Sequence, residues 1–485
     1  MVTYLINEPD FKKTSLFDGF DKSFLMYLPT KKSYNVVFDI GKLNAKILLF
    51  DEHLNIKKII KTQYPIIKIK KNFFLKDINF LILWFKKNLF SLSKKFKINK
   101  IVTSSHGAAF GLVDNNDQPV FGVMDYENNF NSVSKEFKKI KPSFSESLSP
   151  DSDRGLSLGK QLLYLKLKKR LIFNKTKYIL TLPQYISWIF SKKPCSEISF
   201  LGNQTHLWNH KNNSFSSLVT KMKIRDKLPP IKKAWEKIGF YLLDERIKDN
   251  KIKVINGIHD SDASYLLFAK SKFKKFNLVS SGTQIVVMNS FTSPKCLVDG
   301  KEMYAGLDVF GKVVPTIRFM GGREYEILNK KLKIKKYAKG FDQSFFKKNK
   351  YLYPSFGIGG PFGKIVGNCN AFINENHTTR YMAIITYIAF VLNYCMDLIN
   401  CKENIIITGP LVNNFNILKI LNSLRSKQKI YLISNQEGTG IGASLLFDIE
   451  KKYNVNLKLY KHNKILNINS SYEYWLLNLK KMKII

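Results

Sequence analysis

Paired cysteines, arginine and long apolar runs are all scarce in this chain. The five cysteines (Cys195, Cys296, Cys369, Cys395 and Cys401) are scattered, and no two stand at Cys-x-x-Cys spacing. That argues against a zinc site or a disulfide framework, and buried free thiols are the expectation. The most apolar stretch, Ile384 to Ile399, is broken by Thr386, Asn393 and Asp397. It is too short and too polar for a membrane span and reads as a buried helix. Met1 to Pro9 lack a charged start followed by an apolar run, so no secretory signal is expected. A soluble cytoplasmic protein without a membrane partner is therefore anticipated.

Acidic residues are few: 37 Asp and Glu against 79 Lys and Arg, a net charge of +42. The excess is nearly all lysine, spread along a chain also rich in Ile, Asn, Phe and Tyr. Arginine, the residue suited to forked contacts with phosphates and bases, is sparse, and no nucleic-acid module is visible. A Lys/Ile/Asn bias also follows from AT-rich codons. No specific nucleic-acid partner is expected, only the non-specific affinity of a basic surface.

The 485 residues, 45% of them hydrophobic, suffice for two packed domains. Residues 1–33 precede the first strong strand and read as an N-terminal extension. Asn35-Val-Val-Phe-Asp-Ile-Gly is a buried strand, Ala45 to Asp51 a second, and Ile59 to Thr62 a third. They open a β-meander, followed by an amphipathic segment (Lys76 to Phe90) and a short strand from Ile101. Alternating helix and strand after hairpin strands implies an α/β domain with a mixed sheet. Asn277 to Met288 repeats the strand, tight glycine turn and strand of the first segment. Two such devices mark a duplicated nucleotide-binding architecture. The expected limits are 34–250 for the first half, 251–449 for the second and 450–485 for a basic C-terminal tail.

Asp39-Ile-Gly-Lys-Leu-Asn-Ala-Lys46 ends a strand and turns straight into another. Backbone N–H groups at such a turn can hold phosphate oxygens, with the carboxylate placed to bind Mg²⁺ through water. Asp-x-Gly also makes ordinary hairpins. Ser280-Ser-Gly-Thr-Gln284 is a second turn, where Gly282 permits close backbone approach and Thr283 offers a hydroxyl. Gly409-Pro-Leu-Val-Asn-Asn414 and Gly438-Thr-Gly440-Ile-Gly-Ala443 add two more, the latter opening an apolar helix.

Phosphoryl transfer to an alcohol requires a carboxylate to take the hydroxyl proton. In His259-Asp-Ser-Asp262, Asp260 and Asp262 both lie near a helix start. Asp262 better suits the helix cap, which leaves Asp260 as the base. His106-Gly107, after the strand ending Thr103-Ser-Ser, and Asp125-Tyr126-Glu127-Asn128 offer the hydrogen bonds and aromatic face of a polyol site.

In this order the fragments resemble the FGGY carbohydrate kinases, the group of xylulose, rhamnulose, fuculose and glycerol kinases, from about Asn35 to Leu446. The resemblance rests on Phe38-Asp-Ile-Gly, Ser105-His-Gly-Ala, Leu182-Pro-Gln-Tyr-Ile-Ser-Trp, Gly257-Ile-His-Asp-Ser, Ser281-Gly-Thr, Thr408-Gly-Pro-Leu-Val-Asn-Asn and Gly440-Ile-Gly-Ala. It implies two actin/hexokinase-like (ribonuclease H-like) α/β domains with an interdomain cleft, closing over ATP, Mg²⁺ and a small sugar, and it allows a homodimer. Residues 34–250 would then bind sugar and residues 251–449 ATP. Asp260 matches the family's catalytic aspartate. Asp39, Gly41, Lys42, Asn44 and Ala45, with Gly282 and Thr283, match its phosphate turns, while Gly409, Asn414 and Gly440 fall on the nucleotide side. His106, Gly107, Asp125, Tyr126, Glu127, His259 and Ser261 fall where relatives touch sugar. The His-Asp-Ser form resembles rhamnulose kinases most. The first phosphate turn departs from the family, with Lys42-Leu43-Asn44 where Thr or Ser is usual; Lys42 would act there as a point charge. Asp-Tyr-Glu replaces the Trp-Asn-Asp-like segment of xylulose kinases, which argues against xylulose. Pro315-Thr-Ile-Arg-Phe-Met-Gly-Gly-Arg-Glu324 reads as a structural or regulatory loop near the cleft.

Overall fold

The computed structural model describes residues 32–70, 73–152, 154–243, 251–335, 340–363, 365–433 and 437–485. The expected extension before residue 32 and most of the expected boundary (244–250) lie outside the described residues.

Strand β1 (Ser33–Ile40) is buried on both faces from Asn35 onward, which fits its run Val36-Val-Phe-Asp-Ile40 and makes it central. A three-residue turn leads to the antiparallel β2 (Asn44–Phe50), which pairs with the lysine-studded edge strand β3 (Ile56–Gln63). Helix α1 (Ile78–Ser93), capped by the Asp77 side chain, returns the chain to β4 (Lys97–Ser105), parallel to β1. Its inward stripe of Leu81, Phe85 and Leu89 covers one face of the sheet, with the Phe85 ring stacked on Phe38 at 4.2 Å. Helix α2 (Leu182–Ser191) covers the same cluster with Leu182, Ile186 and Trp188.

The sheet is completed by β5 (Lys237–Leu242), β6 (Lys251–Ile255) and the short β7 (Ile258–His259), in the order β5-β6-β4-β1-β2-β3 with β7 beside β4. This corrects the expected boundary. Residues 251–259 belong to the first sheet, and the second unit begins after them. Local pattern could not show it, because the pairing of β6 with β4 joins segments about 150 residues apart.

Helix α3 (Asp260–Ala269) follows directly. The second sheet then repeats the plan: β8 (Asn277–Ser281) and β9 (Ile285–Asn289) form a hairpin, joined by β10 (Met303–Leu307) and β11 (Val313–Phe319). Helix α4 (Gly321–Lys331) and the long α5 (His377–Leu398) precede β12 (Ile405–Thr408), which is parallel to β8. The segment 315–324 is thus a strand entering a helix rather than a loop. Helix α5 is the apolar stretch of the sequence; by length and composition it could cross a membrane, but 89% of its most apolar window is buried in the second core.

Helix α6 (Phe415–Leu424), β13 (Ile430–Leu432), helix α7 (Gly438–Ser444), β14 (Lys458–Tyr460) and helix α8 (Ile468–Lys481) finish the domain. The second sheet runs β10-β11-β9-β8-β12-β13-β14. In both sheets an antiparallel group of strands (β1 to β3 in the first, β8 to β11 in the second) is continued by two parallel strands, so the duplication read from sequence is present in the topology.

The region from 450 is not a tail. β14 pairs antiparallel with β13, and α8 buries Trp475 and Leu479 completely, one turn apart, while its lysines face out. The Trp475 indole donates to the Leu352 carbonyl at 2.9 Å.

Between the sheets lies a shared apolar cluster. It joins Val37, Leu48, Phe50 and Val102 of the first sheet to Leu278, Met288 and Ile406 of the second, through Leu266 and Leu267 of α3 and Ile441 and Ala443 of α7. Helices α3 and α7 touch backbone to backbone: a Cβ on Gly442 would lie 1.8 Å from the Ala263 carbonyl oxygen.

If α8 is part of the core, Trp475→Ala should destabilise the protein by about 3–5 kcal/mol. Urea unfolding followed by fluorescence and circular dichroism measures this; an unchanged midpoint would show α8 to be peripheral.

Candidate functional site

Strand β7 lies parallel to the end of β4, with Ile258 opposite Ser104 and His259 opposite Ser105. Gly257, at φ +107°, makes the bend that allows this, and a Cβ there would sit 2.7 Å from the Thr103 carbonyl. His106-Gly107 is thereby set beside His259-Asp260. A Cβ on Gly107 would lie 2.7 Å from His259 Nε2, so glycine is required for the imidazole to keep its place.

Asp260 is the first residue of α3, and its carboxylate is partly open to the cleft. Its Oδ1 accepts from the Ser261 amide at 2.6 Å and lies 3.3 Å from the Ser261 hydroxyl. The expected cap role of Asp262 does not hold. The helix begins two residues earlier, and Asp262 is buried, its Oδ2 2.8 Å from His259 Nδ1 and 3.3 Å from Asn203 Nδ2. Cap preference is local; the buried partner that engages Asp262 is not visible to it.

His106 and His259 are both buried, but their imidazoles are shifted in opposite directions. His106 Nδ1 lies 2.8 Å from the Gly107 carbonyl, which makes it the N–H side of the ring, while Nε2 has no partner among the described residues. Burial pushes His106 down to about 4, so it is neutral near pH 7 and offers Nε2 as an acceptor. Burial acts the same way on His259, but Asp260 and Asp262 outweigh it and raise that imidazole. The His106 ring meets Tyr126 edge-on at 5.7 Å.

The Asp125–Glu127 segment is held from below. Asp125 pairs with Lys76 at 2.9 Å with both side chains buried, and Lys76 Nζ also donates to the Lys42 carbonyl at 2.8 Å. Glu127 accepts from Lys42 and Arg154. Lys42 is consequently not a free point charge for phosphate, a correction to the expectation; its ammonium lies over the Tyr126 ring, 5.0 Å from the centroid. Asp125 and Glu127 are engaged in these ion pairs, which leaves the half-buried Tyr126 as the side chain of the segment without an ion-pair partner.

The second domain contributes residues that sequence reasoning missed. Tyr304 on β10 and Arg318 on β11 are buried, with the guanidinium 5.6 Å from the ring centroid. Arg318 binds Glu302 at 2.7 Å and crosses to the first domain, donating to Gln204 Oε1 at 2.8 Å and Ser152 Oγ at 2.9 Å. The available signal was an arginine inside an apolar strand of a chain poor in arginine.

The turn after β1 presents backbone donors. The Gly41 amide closes it onto the Asn44 carbonyl at 2.9 Å, while the carbonyls of Gly41, Lys42 and Leu43 accept from Tyr64 and Lys76. Among the described residues the amides of Lys42 and Leu43 have no protein acceptor, as an anion cradle requires. Ala45 is fully buried and only supports the turn. The equivalent turn after β8 is solvent-facing at Gly282 and Thr283, with the Thr283 carbonyl accepting from the Arg323 amide at the start of α4.

Gly409, at φ +80°, lies against Ser281; a Cβ would be 2.0 Å from the Ser281 carbonyl oxygen. Asn414 caps α6 through the Ile417 amide. Gly440 does not line a turn, because α7 starts at Gly438 and Gly440 is buried against Leu48, 2.8 Å from a would-be Cβ. Its glycine is demanded by helix–sheet packing.

Asp39 ends β1 with its carboxylate buried. Burial raises it to about 7 against the pull of Lys46, with Asp260 and Glu437 adding to the rise. No set of three or more metal-ligating side chains exists among the described residues. A magnesium ion, which keeps most of its waters and takes one or two carboxylates plus phosphate oxygens, still fits, with Asp39 as its protein ligand.

Residues 273–455 match the family model described as carbohydrate kinase FGGY, C-terminal domain. No curated protein matches the chain. The fold is similar to that of a carbohydrate kinase from Novosphingobium aromaticivorans (TM-score 0.82, 21% identity, covering 94% of this chain and 100% of that one). It is also similar to a ligand-bound xylulose kinase from Lactobacillus acidophilus (TM-score 0.75, 15% identity, 93% and 98% covered). The Plasmodium falciparum glycerol kinase with ADP is a third (TM-score 0.73, 15% identity, 93% and 98% covered). At these identities the two-domain actin-like fold is what is shared.

The raised Asp39 has a consequence for stability. The folded state keeps its proton up to about pH 7 while the unfolded chain releases it near 4, so stability falls as pH rises through that window. In the absence of nucleotide and metal, Asp39→Asn should be more stable than the wild type at pH 8, by about 1–4 kcal/mol, with the gap closing towards pH 4. Denaturant unfolding at the two pH values checks this; a less stable variant at pH 8 would refute it.

Proposed function

We propose, from the match of residues 273–455 to the FGGY carbohydrate kinase C-terminal domain and the fold shared with such kinases, that this chain transfers the γ-phosphate of ATP to a hydroxyl of a ketose or deoxyketose. The observation that carries the proposal is Asp260. A partly exposed carboxylate stands at the start of α3, between the sheets, beside the neutral His106 and 3.4 Å from Nε2 of His259, whose imidazole the neighbouring carboxylates raise.

The acceptor hydroxyl gives its proton to Asp260 as its oxygen bonds to the γ-phosphorus, and the bond to the β-phosphate oxygen breaks to leave ADP. His106 Nε2 accepts from a sugar hydroxyl, and Tyr126 supplies an apolar face. The amides of Lys42 and Leu43 and the Gly282-Thr283 turn hold phosphate oxygens. Magnesium, bound through Asp39, would neutralise charge on the phosphates.

The xylulose and glycerol kinases share the fold but not the acceptor, so the fold does not choose a sugar. His259-Asp260-Ser261 and the Asp-Tyr-Glu segment favour a rhamnulose- or fuculose-like ketose as the first to test. A second reading, a catalytically weakened sugar- or nucleotide-binding regulator, is favoured by one observation: Lys42 is paired with Glu127, and Leu43 brings no hydroxyl to the phosphate turn.

ATP consumption by the purified protein over a panel of ketoses and polyols tests the kinase reading. Turnover with at least one acceptor is expected, and Asp260→Asn should lower kcat by about 10²–10⁴-fold while ADP binding persists. Silence across the panel with ADP still bound would establish the regulator instead.

A further inference from the structure

His259 and Asp262 lie three residues apart across the start of α3, a spacing that brings their side chains to one face. Both are buried, at 6% and 5% exposure. Nδ1 of the imidazole is 2.8 Å from Asp262 Oδ2, and the other nitrogen, Nε2, is 3.4 Å from Asp260 Oδ1. Asp262, His259 and Asp260 therefore form a carboxylate–imidazole–carboxylate chain running from the interior to the cleft.

The ring is fixed on every side. Phe200 meets it edge-on at 5.3 Å, Gly107 packs against Nε2, and Asn203 Nδ2 lies 3.3 Å from both Nδ1 and Asp262 Oδ2. The charged groups facing it are Asp260, Asp262 and, further off, Glu197, whose carboxylate is engaged by Ser199 and Phe200. Burial raises the Asp262 carboxyl and the His259 imidazole pulls it back, and leaving either partner of such a buried pair alone is costly.

We propose that Asp262 is a positioning residue for the phosphoryl transfer, acting through His259: its carboxylate fixes the Nδ1–H, keeps the imidazole protonated and turns Nε2–H towards Asp260. Nε2–H, 3.4 Å from Asp260 Oδ1, orients the carboxylate that takes the hydroxyl proton. The inference rests on the kinase reading and adds to it a residue that touches neither sugar nor nucleotide.

The test compares Asp262→Asn, Asp262→Glu and Asp260→Asn in the full chain. Two readouts are used: side-chain ¹⁵N NMR of histidine-labelled protein, with His259 assigned by His259→Gln, and steady-state kinetics with an acceptor found active in the panel. ADP-induced thermal shift reports folding. In the wild type at pH 7 both nitrogens of His259 should be protonated. Asp262→Asn should abolish that signature and lower kcat by about 10–100-fold, with KM for ATP within about twofold; Asp262→Glu should restore both in part. Wild-type kcat together with an unchanged His259 signature in Asp262→Asn would overturn the inference. Should Asp262→Asn not fold, Asp262→Glu and the wild-type spectrum decide, since a neutral wild-type His259 refutes it equally. Full activity in Asp260→Asn would instead refute the kinase reading, and if no acceptor is active the NMR arm alone decides.

Discussion

The contact between Gly442 and the Ala263 carbonyl holds the arrangement together. Two helices about 180 residues apart in sequence meet there with no side chain between them, inside the apolar cluster that both sheets share. Any Cβ at 442 would wedge α3 from α7. The Ser264 and Thr439 hydroxyls bond across the same seam at 2.9 Å. Because α3 is pinned in this way, its first residue, Asp260, is held between the sheets and next to the turn that follows β4. The position of Asp260 is thus inherited from a packing constraint three residues further along the same helix.

Electrostatics then divides the cleft into roles. Asp39, buried and raised, is poised to gain from a cation. Glu437 is satisfied by Lys46 and Lys61, and Asp125 by Lys76. Two buried histidines are shifted in opposite directions: burial dominates at His106 and lowers it, while at His259 the adjoining Asp260 and Asp262 outweigh burial and raise it.

The hairpin turns of both sheets were legible in the sequence, because apolar runs ending in Asp39-Ile-Gly41 and Ser280-Ser-Gly282 combine period and turn chemistry. So were the buried helix at 384–399 and the position of Asp260 after a strand. Features set by distant partners were not. The boundary at 250 failed because β6 pairs with β4, and the C-terminal region was misjudged because its lysines mask a stripe holding Trp475 and Leu479. Asp262 looked like a cap until its imidazole was seen, and Gly440 looked like a phosphate turn until Leu48 was. Asp125 and Glu127 read as sugar ligands because their cations, Lys76, Lys42 and Arg154, stand elsewhere in the chain.

The scarcity of arginine acquires a meaning from Arg318 and Arg425. Arg318 forks between Glu302, Gln204 and Ser152, and Arg425 between Asn393, Asp397 and the Cys401 carbonyl. Lysine carries the same charge but cannot make either fork. A compositional drift from arginine to lysine passes freely through solvent-facing sites and stalls where several acceptors must be met in one plane. Residual arginine therefore works as a filter: in a proteome with this bias, the arginines that survive inside apolar strands and helices flag places where shape, and not charge, is being selected.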